Sequence, residues 1–268
     1  MEYPISVFIM DVTNSSSEGI GEELTLYLDN MVSWITRWTE GTANVKVKHR
    51  SGDEIIFIGD DYALAYTIAF FIGRVWKYKN NQPYFGMSFG HISRELESID
   101  IEKWIHPLVK QARQANDLLK KVKTSRPQYQ FGLDELYFSD KNDTAGLYMG
   151  ELQKLMNTIL RMQHLYIQSQ TPIQQMVCSL YLIFGKQKEV GRLLHKNPST
   201  ISSHFKKGDS EEILNAFSEI VSVLNSLQKN AYPGGSNSDV RIENVMKAIK
   251  RHVDENLTEY FDLPDRDD

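Results

Sequence analysis

Residues 5–10, ISVFIM, form an apolar run, interrupted only by the small Ser6 and rich in β-branched and aromatic side chains, and the run ends on an acid, Asp11. A strand without polar alternation is covered on both faces, so it belongs in the middle of a sheet with helices above and below. The remainder of the N-terminal half therefore has to supply neighbouring strands and helical layers. Small hydroxylated residues follow Asp11 (VTNSSSEG), and residues 22–38 then space Leu24, Leu28, Met31, Val32 and Ile35 at helical intervals. A strand, a small-residue loop and a helix aim loop N–H groups and the positive helix end at one spot, which suits a phosphate. Ser and Asn acting only as helix caps is the plainer alternative.

The next feature is HRSGDEIIFI, residues 49–58. Two β-prone runs, 45–48 and 55–58, flank a Ser-Gly-Asp-Glu turn and read as a hairpin with Asp53 and Glu54 at its tip. Adjacent acids at a hairpin tip call for a positive partner, and Mg²⁺, which takes oxygen ligands and bridges to phosphate, is the leading candidate. Residues 62–79 follow as a helix on the spacing of Leu64, Ile68, Phe71, Ile72 and Val75. Residues 84–92 read as a strand in which Gly86 and Gly90 leave room for a close backbone or a ligand. A long helix is expected over 97–122, with Pro107 as a kink or restart. Residues 124–130 are a breaker stretch, and 136–138 (LYF) are a short strand candidate. The order is β-α-β-β-α-β-α-β, whose first six elements are the split arrangement of ferredoxin-like folds. In that topology the first strand lies beside the hairpin, and Asp11 faces Asp53. Two facing carboxylates beside a phosphate loop follow the logic of metal-assisted phosphoryl transfer.

The second half is helical. Residues 146–167 form a connector helix with Leu152, Leu155, Met156, Ile159, Leu160 and Met162 expected inward, and Thr171-Pro172 opens the next helix. Residues 187–195 and 200–206 are two short helices across a Lys196-Asn197-Pro198 turn, with Ser199 expected as the N-cap of the second. That is a helix-turn-helix, whose second helix would enter the major groove of double-stranded DNA. Ser199, Thr200, Ser202, Ser203 and His204 would face the bases, while Lys186, Lys188, Arg192, Lys196, Lys206 and Lys207 would neutralise phosphates. A helical bundle with a solvated Lys face is the alternative. Residues 211–227 are broadly amphipathic, suited to pack on the helix-turn-helix or on a partner subunit. YPGGSNSD is a linker by composition, and the helix expected over 240–257 would serve as a dimer clasp or a satellite of the core.

Together the motifs Asp11-Val12-x-Asn14-Ser15, Gly52-Asp53-Glu54 and Pro107-x-x-x-x-Ala112-Arg113 resemble the palm-type core of class III nucleotide cyclases and GGDEF diguanylate cyclases. More closely, the chain resembles the SatD-like bacterial family, which joins such a core to a helix-turn-helix; the resemblance runs to about residue 227. It implies metal at Asp11 and Asp53, with Glu54 adjacent. It also implies a purine nucleotide whose triphosphate is held at Asn14, Ser15, Ser16 and Ser17, with Arg113 nearby, and a homodimer. The cyclases carry an Asn one helical turn before this Arg; here Val109 stands there. Ser51 and Ile55 also replace the ends of the Gly-Gly-Asp-Glu-Phe signature. The helix-turn-helix further resembles those of sigma-factor and LuxR-type regulators.

Composition removes several other classes. The net charge of −5 gives no overall field for nucleic acid, so DNA contact must come from a local patch. One cysteine, Cys178, excludes an intrachain disulfide and a Cys-rich zinc site. The N-terminus lacks a basic n-region, no apolar run reaches membrane-span length, and a cytoplasmic location is expected. The expected architecture is α+β: a ferredoxin-like, nucleotide-cyclase-like domain (1–145), an all-α connector and helix-turn-helix domain (146–230), and a linker with a C-terminal helix and acidic tail (231–268). The expected function is a DNA-binding transcriptional regulator with a degenerate cyclase-like sensor or dimerisation domain. The alternative is an active metal-dependent nucleotidyl cyclase with an appended regulatory helix-turn-helix.

Overall fold

The computed structural model of the protein describes residues 2–15, 21–50, 52–133, 148–233 and 237–263. It is α+β, with a five-stranded mixed sheet followed by a series of helices. β1 (Tyr3–Val12) is the central strand, and β2 (Val45–His49), β3 (Ile55–Gly59), β4 (Pro83–Ile92) and β5 (Tyr129–Phe131) complete the order β2-β3-β1-β4-β5. β1 pairs antiparallel on both edges, from Ser6–Gly59 to Met10–Ile55 with β3 and from Tyr3–Ile92 to Val12–Pro83 with β4. β5 adds to β4 in parallel. Residues 5–10 are buried throughout; Ser6, the polar residue among them, is satisfied by donating to the Asp61 carbonyl and accepting the Ala65 N–H.

The two faces of the sheet have different covers. Phe8, Met10, Phe57 and Phe85 join the cluster formed with α1 (Gly21–Thr39) and α2 (Leu64–Val75). Ile5, Val7, Ile9, Ile56 and Ile58 pack against Leu108 and Ala112 of α3 (Pro107–Lys121). α3 is shorter than its sequence pattern suggested. Pro107 occupies its first turn, the His106 ring accepts a hydrogen bond from the Leu108 N–H at 3.3 Å, and Leu96–Ser98 form only a 3-10 turn. Proline acts here as a start, where its missing N–H costs nothing. Gly86 on β4 does leave room for a close backbone: a Cβ there would lie 2.2 Å from Ala112 O and Asn116 N of α3. β5 forms at the end of the expected breaker stretch, because Tyr129 and Phe131 drop into the α2 side of the core. The strand candidate at 136–138 lies outside the described residues.

The later helices are α4 (Met149–Ser169), α5 (Pro172–Phe184), α6 (Gln187–Leu193), α7 (Pro198–Lys207), α8 (Ser210–Ala231), α9 (Ser238–Glu255) and α10 (Leu257–Tyr260). The inward face of α4 differs from expectation: Met156, Leu160, Gln163, His164 and Ile167 are buried, while Leu155, Ile159 and Met162 point outward with Leu165. Helical spacing offers two apolar stripes here, and the core takes the one carrying Gln163, whose side chain bridges Tyr66 and the Ile213 carbonyl. The broad face of α8 is used inside the chain, with Phe217 stacked on Phe70 of α2 at 4.2 Å between ring centroids. α9 and α10 return to the sheet half: Glu259 accepts from Trp34 Nε1 at 3.3 Å, and the Tyr260 ring lies 4.4 Å from that of Trp34. One apolar cluster consequently runs from β1 to Phe261, across positions 145 and 230 alike.

A buried carboxylate sits where these parts meet. Asp61, in the β3–α2 connection, accepts from Ser238 Oγ at 2.7 Å, Gln228 Nε2 at 3.1 Å and the Ala63 N–H at 3.0 Å. Next to it Asp60 pairs with Arg241 of α9.

The Gly86 contact is testable. Gly86→Ala forces a methyl into the α3 backbone, and overpacking of this kind costs about 1–3 kcal/mol. The urea midpoint of the variant should fall accordingly; an unchanged midpoint would show that α3 is free to move off the sheet.

Candidate functional site

Strand periodicity decides which acids meet. Side chains two apart share a face, so Asp11 follows Ile5, Val7 and Ile9 onto the α3 side, and Glu54 precedes Ile56 and Ile58 onto the same side. On α3, Val109, Arg113, Asn116 and Lys120 recur at three- and four-residue intervals, beside the stripe that packs on the sheet. The two sets meet at the end of β1. Asn116 Nδ2 donates to Asp11 Oδ2 at 2.7 Å. Arg113 sets its guanidinium fork on Glu54, with NH1 to Oε2 at 2.5 Å and NH2 to Oε1 at 2.9 Å, and Arg50 reaches the same carboxylate at 3.4 Å. Asp53 turns toward β1, its Oδ2 accepting the Val12 N–H at 3.2 Å. The sharp tip before it depends on Gly52 at φ +95°.

Asp11 and Asp53 are thus neighbours, and the Asp11 carboxyl titrates high. Its pKa is pushed up to about 6 by burial first, then by the Asp53 charge, with Lys120 and the Asn116 hydrogen bond pulling the other way. Burial also raises the Tyr84 hydroxyl, with Asp11 and Asp53 adding to the shift, and the Arg126 guanidinium lies 4.6 Å over the Tyr84 ring. Glu54 and Arg113 neutralise each other, which leaves Asp11 and Asp53 as the carboxylates open to a cation. Mg²⁺ commonly binds through one or two carboxylates and keeps several waters, so such a pair suffices. Among the described residues no group of three His, Cys, Asp or Glu side chains gathers around one point. In the loop after β1, Asn14 adopts φ +55°, donates to the Asn80 carbonyl at 3.4 Å, and lies with Ser15 along the same cleft as Asp53. Ser16 and Ser17 lie outside the described residues.

That cleft, about 1340 Å³, extends from Asp53 and Tyr84 past Lys120 and Arg126 to His195 and Lys196 in the turn between α6 and α7. α6 and α7 pack on α5, where the Phe205 ring lies 4.5 Å from that of Tyr181. The helix start differs by two residues from the expectation. Asn197, not Ser199, caps α7: its Oδ1 accepts the Thr200 N–H at 2.8 Å and the Ser199 hydroxyl at 2.7 Å, with Pro198 in the first turn. Gly191 makes the tight turn possible, since a Cβ there would lie 2.7 Å from the Lys196 carbonyl. His195 closes the turn at φ +50°. Lys188, Arg192, Lys196, Ser199, Ser203, Lys206 and Lys207 are exposed, and Thr200, Ser202 and His204 are half-buried. Arg192 shares its charge with Glu189 at 3.1 Å.

Neither a protein-family model nor a curated protein matches this chain. The reading of the site therefore rests on its geometry. Asn116 is the candidate site residue that the motifs do not point to. It stands one turn after Arg113, whereas the cyclase pattern directs attention one turn before it. The signal that finds it is the face shared with Asp11.

The raised Asp11 pKa fixes a sign. Because the folded-state value lies above 3.8, its stability contribution is complete at low pH and lost as pH rises through about 6. In buffer free of divalent cations, Asp11→Asn should raise the thermal midpoint at pH 7.5 by about 2–4 °C, equivalent to about 1 kcal/mol after allowance for solvent screening. The gain should shrink below pH 6 and vanish near pH 4. A difference that stays constant with pH would refute the assignment.

Proposed function

We propose that this protein is a cytoplasmic DNA-binding regulator whose sheet half is a nucleotide-binding, cyclase-like sensor. The observation that carries the reading is the closeness of Asp11 to Asp53, which itself lines a cleft that also reaches the turn between α6 and α7. The antiparallel order β2-β3-β1-β4 is the order of a ferredoxin-like core, which supports that assignment for the sheet. In this reading Asp11 and Asp53 hold Mg²⁺, and Asn14 and Ser15, beside Asp53 in the cleft, hold the phosphates of a purine nucleotide. The metal, when bound, neutralises phosphate charge between the carboxylates. Asn116 holds one oxygen of Asp11 in place, which leaves the other to face the cation. Arg113 is engaged with Glu54 rather than open to substrate, which favours binding over turnover.

DNA is taken by α7. Its exposed Ser199 and Ser203 and half-buried Thr200, Ser202 and His204 present small polar groups to base edges, while Lys188, Lys196, Lys206 and Lys207 meet phosphates. Operator-length recognition by such a helix uses two copies on adjacent half-sites. The outward stripe Leu155, Ile159, Met162 and Leu165 on α4 is the surface through which a second copy would join. Nucleotide in the cleft would contact both the sheet half and the α6–α7 turn, and its differential affinity for two arrangements of that turn would set DNA affinity.

Two measurements test this. Lys188→Ala with Lys206→Ala should weaken binding to duplex DNA about 10-fold or more and flatten the plot of log affinity against log salt by about 2. Affinity indifferent to both changes would end the DNA reading. In thermal unfolding, Mg²⁺ with ATP or GTP should raise the midpoint of the wild type, and Asp53→Ala should remove that rise. Steady conversion of a nucleoside triphosphate that Asp53→Ala abolishes would instead establish the cyclase alternative.

A further inference from the structure

Within the same cleft, away from Asp11 and Asp53, a cation is buried without a counterion. Arg74, in the last turn of α2, is 8% exposed, its Nε is sealed and makes no hydrogen bond, and no carboxylate among the described residues lies within ion-pair distance. Among the described residues the Phe70 ring lies 5.7 Å from the guanidinium carbon, and the Tyr66 and Tyr129 hydroxyls and the His164 ring lie close enough to feel its charge. Beside it on α4, His164 is equally buried, and neither ring nitrogen has a hydrogen-bond partner. Burial, reinforced by the Arg74 charge, lowers the His164 pKa to about 4, so the ring is neutral at physiological pH and Arg74 supplies the local charge. Folded chains rarely keep a buried charge unpaired, because desolvation is costly unless an opposite charge offsets it.

The missing charge fits a ligand. Arg74 and His164 line the cleft, and so do Lys77, Lys79, Lys120, Lys123, Arg126 and Lys196, against the carboxylates of Asp53 and Asp262. A chain of net charge −5 thus concentrates cations on one concave surface. A planar guanidinium fork matches phosphate oxygens in pairs, and several surrounding lysines suit more than one negative charge. Arg74 lies too deep for the backbone of a duplex, but within reach of a small molecule.

We propose that Arg74 anchors a metal-independent site for a small phosphorylated molecule, with its phosphate on the guanidinium and the basic rim of the cleft around it. The site needs neither Asp11 nor Asp53, so it stands or falls separately from the Mg²⁺–nucleotide reading.

Inorganic pyrophosphate in the presence of EDTA is the probe, with thermal unfolding of the full chain as the readout and sodium chloride at matched ionic strength as the control. Pyrophosphate well above its dissociation constant should raise the wild-type midpoint by about 5 °C or more. Asp53→Ala should keep that rise, while Arg74→Met should lose it. Arg74→Met should also unfold at a higher temperature than the wild type without ligand, because a buried unpaired charge has been replaced by an apolar side chain of similar length. A wild-type rise matched by sodium chloride, or one that survives in Arg74→Met, overturns the inference. So does a lower ligand-free midpoint for Arg74→Met, which would make Arg74 a structural cation at the negative end of α2. If Arg74→Met does not fold, Arg74→Lys decides by calorimetry: the single ammonium should bind pyrophosphate about 10-fold or more weakly, and undiminished affinity refutes the site.

Discussion

The register of β1 is the constraint on which the rest of the molecule depends. The strand is hydrogen-bonded along both edges and buried on both faces, so a slip by one residue would exchange every side chain between the α2 layer and the α3 layer. Such a slip would turn Phe8 away from its stacking partner Phe57, which lies 4.8 Å away, and carry Asp11 away from Asn116. Core packing and site assembly are therefore set by the same choice. The apolar run is what makes that choice strongly, and the acid at its end is positioned as a consequence.

A second constraint joins the sheet to the helices that follow. Asp61 is fully buried, and burial raises its pKa to about 6, against the hydrogen bonds from Ser238, Ala63 and Gln228 that favour the ionised form. Gln228 also accepts the Tyr62 N–H at 2.7 Å, and the single Ser238 hydroxyl proton is shared between Asp61 Oδ2 at 2.7 Å and Asn225 Oδ1 at 2.9 Å. The network spans the β3–α2 connection, α8 and α9, so helices remote in sequence are tied to the end of β3 opposite the hairpin tip. A partly satisfied buried network is unfavourable, whereas a fully satisfied one rigidifies and specifies a packing. That gives α8 and α9 a hydrogen-bonded connection to the sheet.

Much of this was legible in the sequence, and the failures have physical causes. The pattern of the first six elements, the juxtaposition of Asp11 with the hairpin tip and the room at Gly86 all follow from period-two strands and turn chemistry. Residues 97–106 do not join α3, and of the two roles the sequence leaves open for Pro107, kink or restart, the structure uses the restart, with the His106 ring capping the helix. β5 was missed because three residues between Pro127 and Gly132 carry too little pattern; burial of Tyr129 and Phe131 creates the strand. On α4 the error came from weighing side chains by polarity alone. Gln163 and His164 look like surface residues, yet the core takes them and leaves Leu155 and Met162 in solvent. Arg74 and His164 were equally hidden, since each sits on a helix whose other residues gave no reason to look.

These exceptions share a feature. A chain selected for stability alone would exchange Gln163, His164 and Arg74 for apolar residues of similar volume, because buried polar groups seldom repay their desolvation. Gln163 is repaid by two hydrogen bonds, from Tyr66 and to the Ile213 carbonyl. Arg74 and His164 have no such return within the described residues, and they face a cleft already rich in lysine. Departures from local consistency concentrate where a molecule does something other than fold. Here the departure lies in the cleft that Asp53 and the α6–α7 turn also line, where an occupant would touch both halves of the chain.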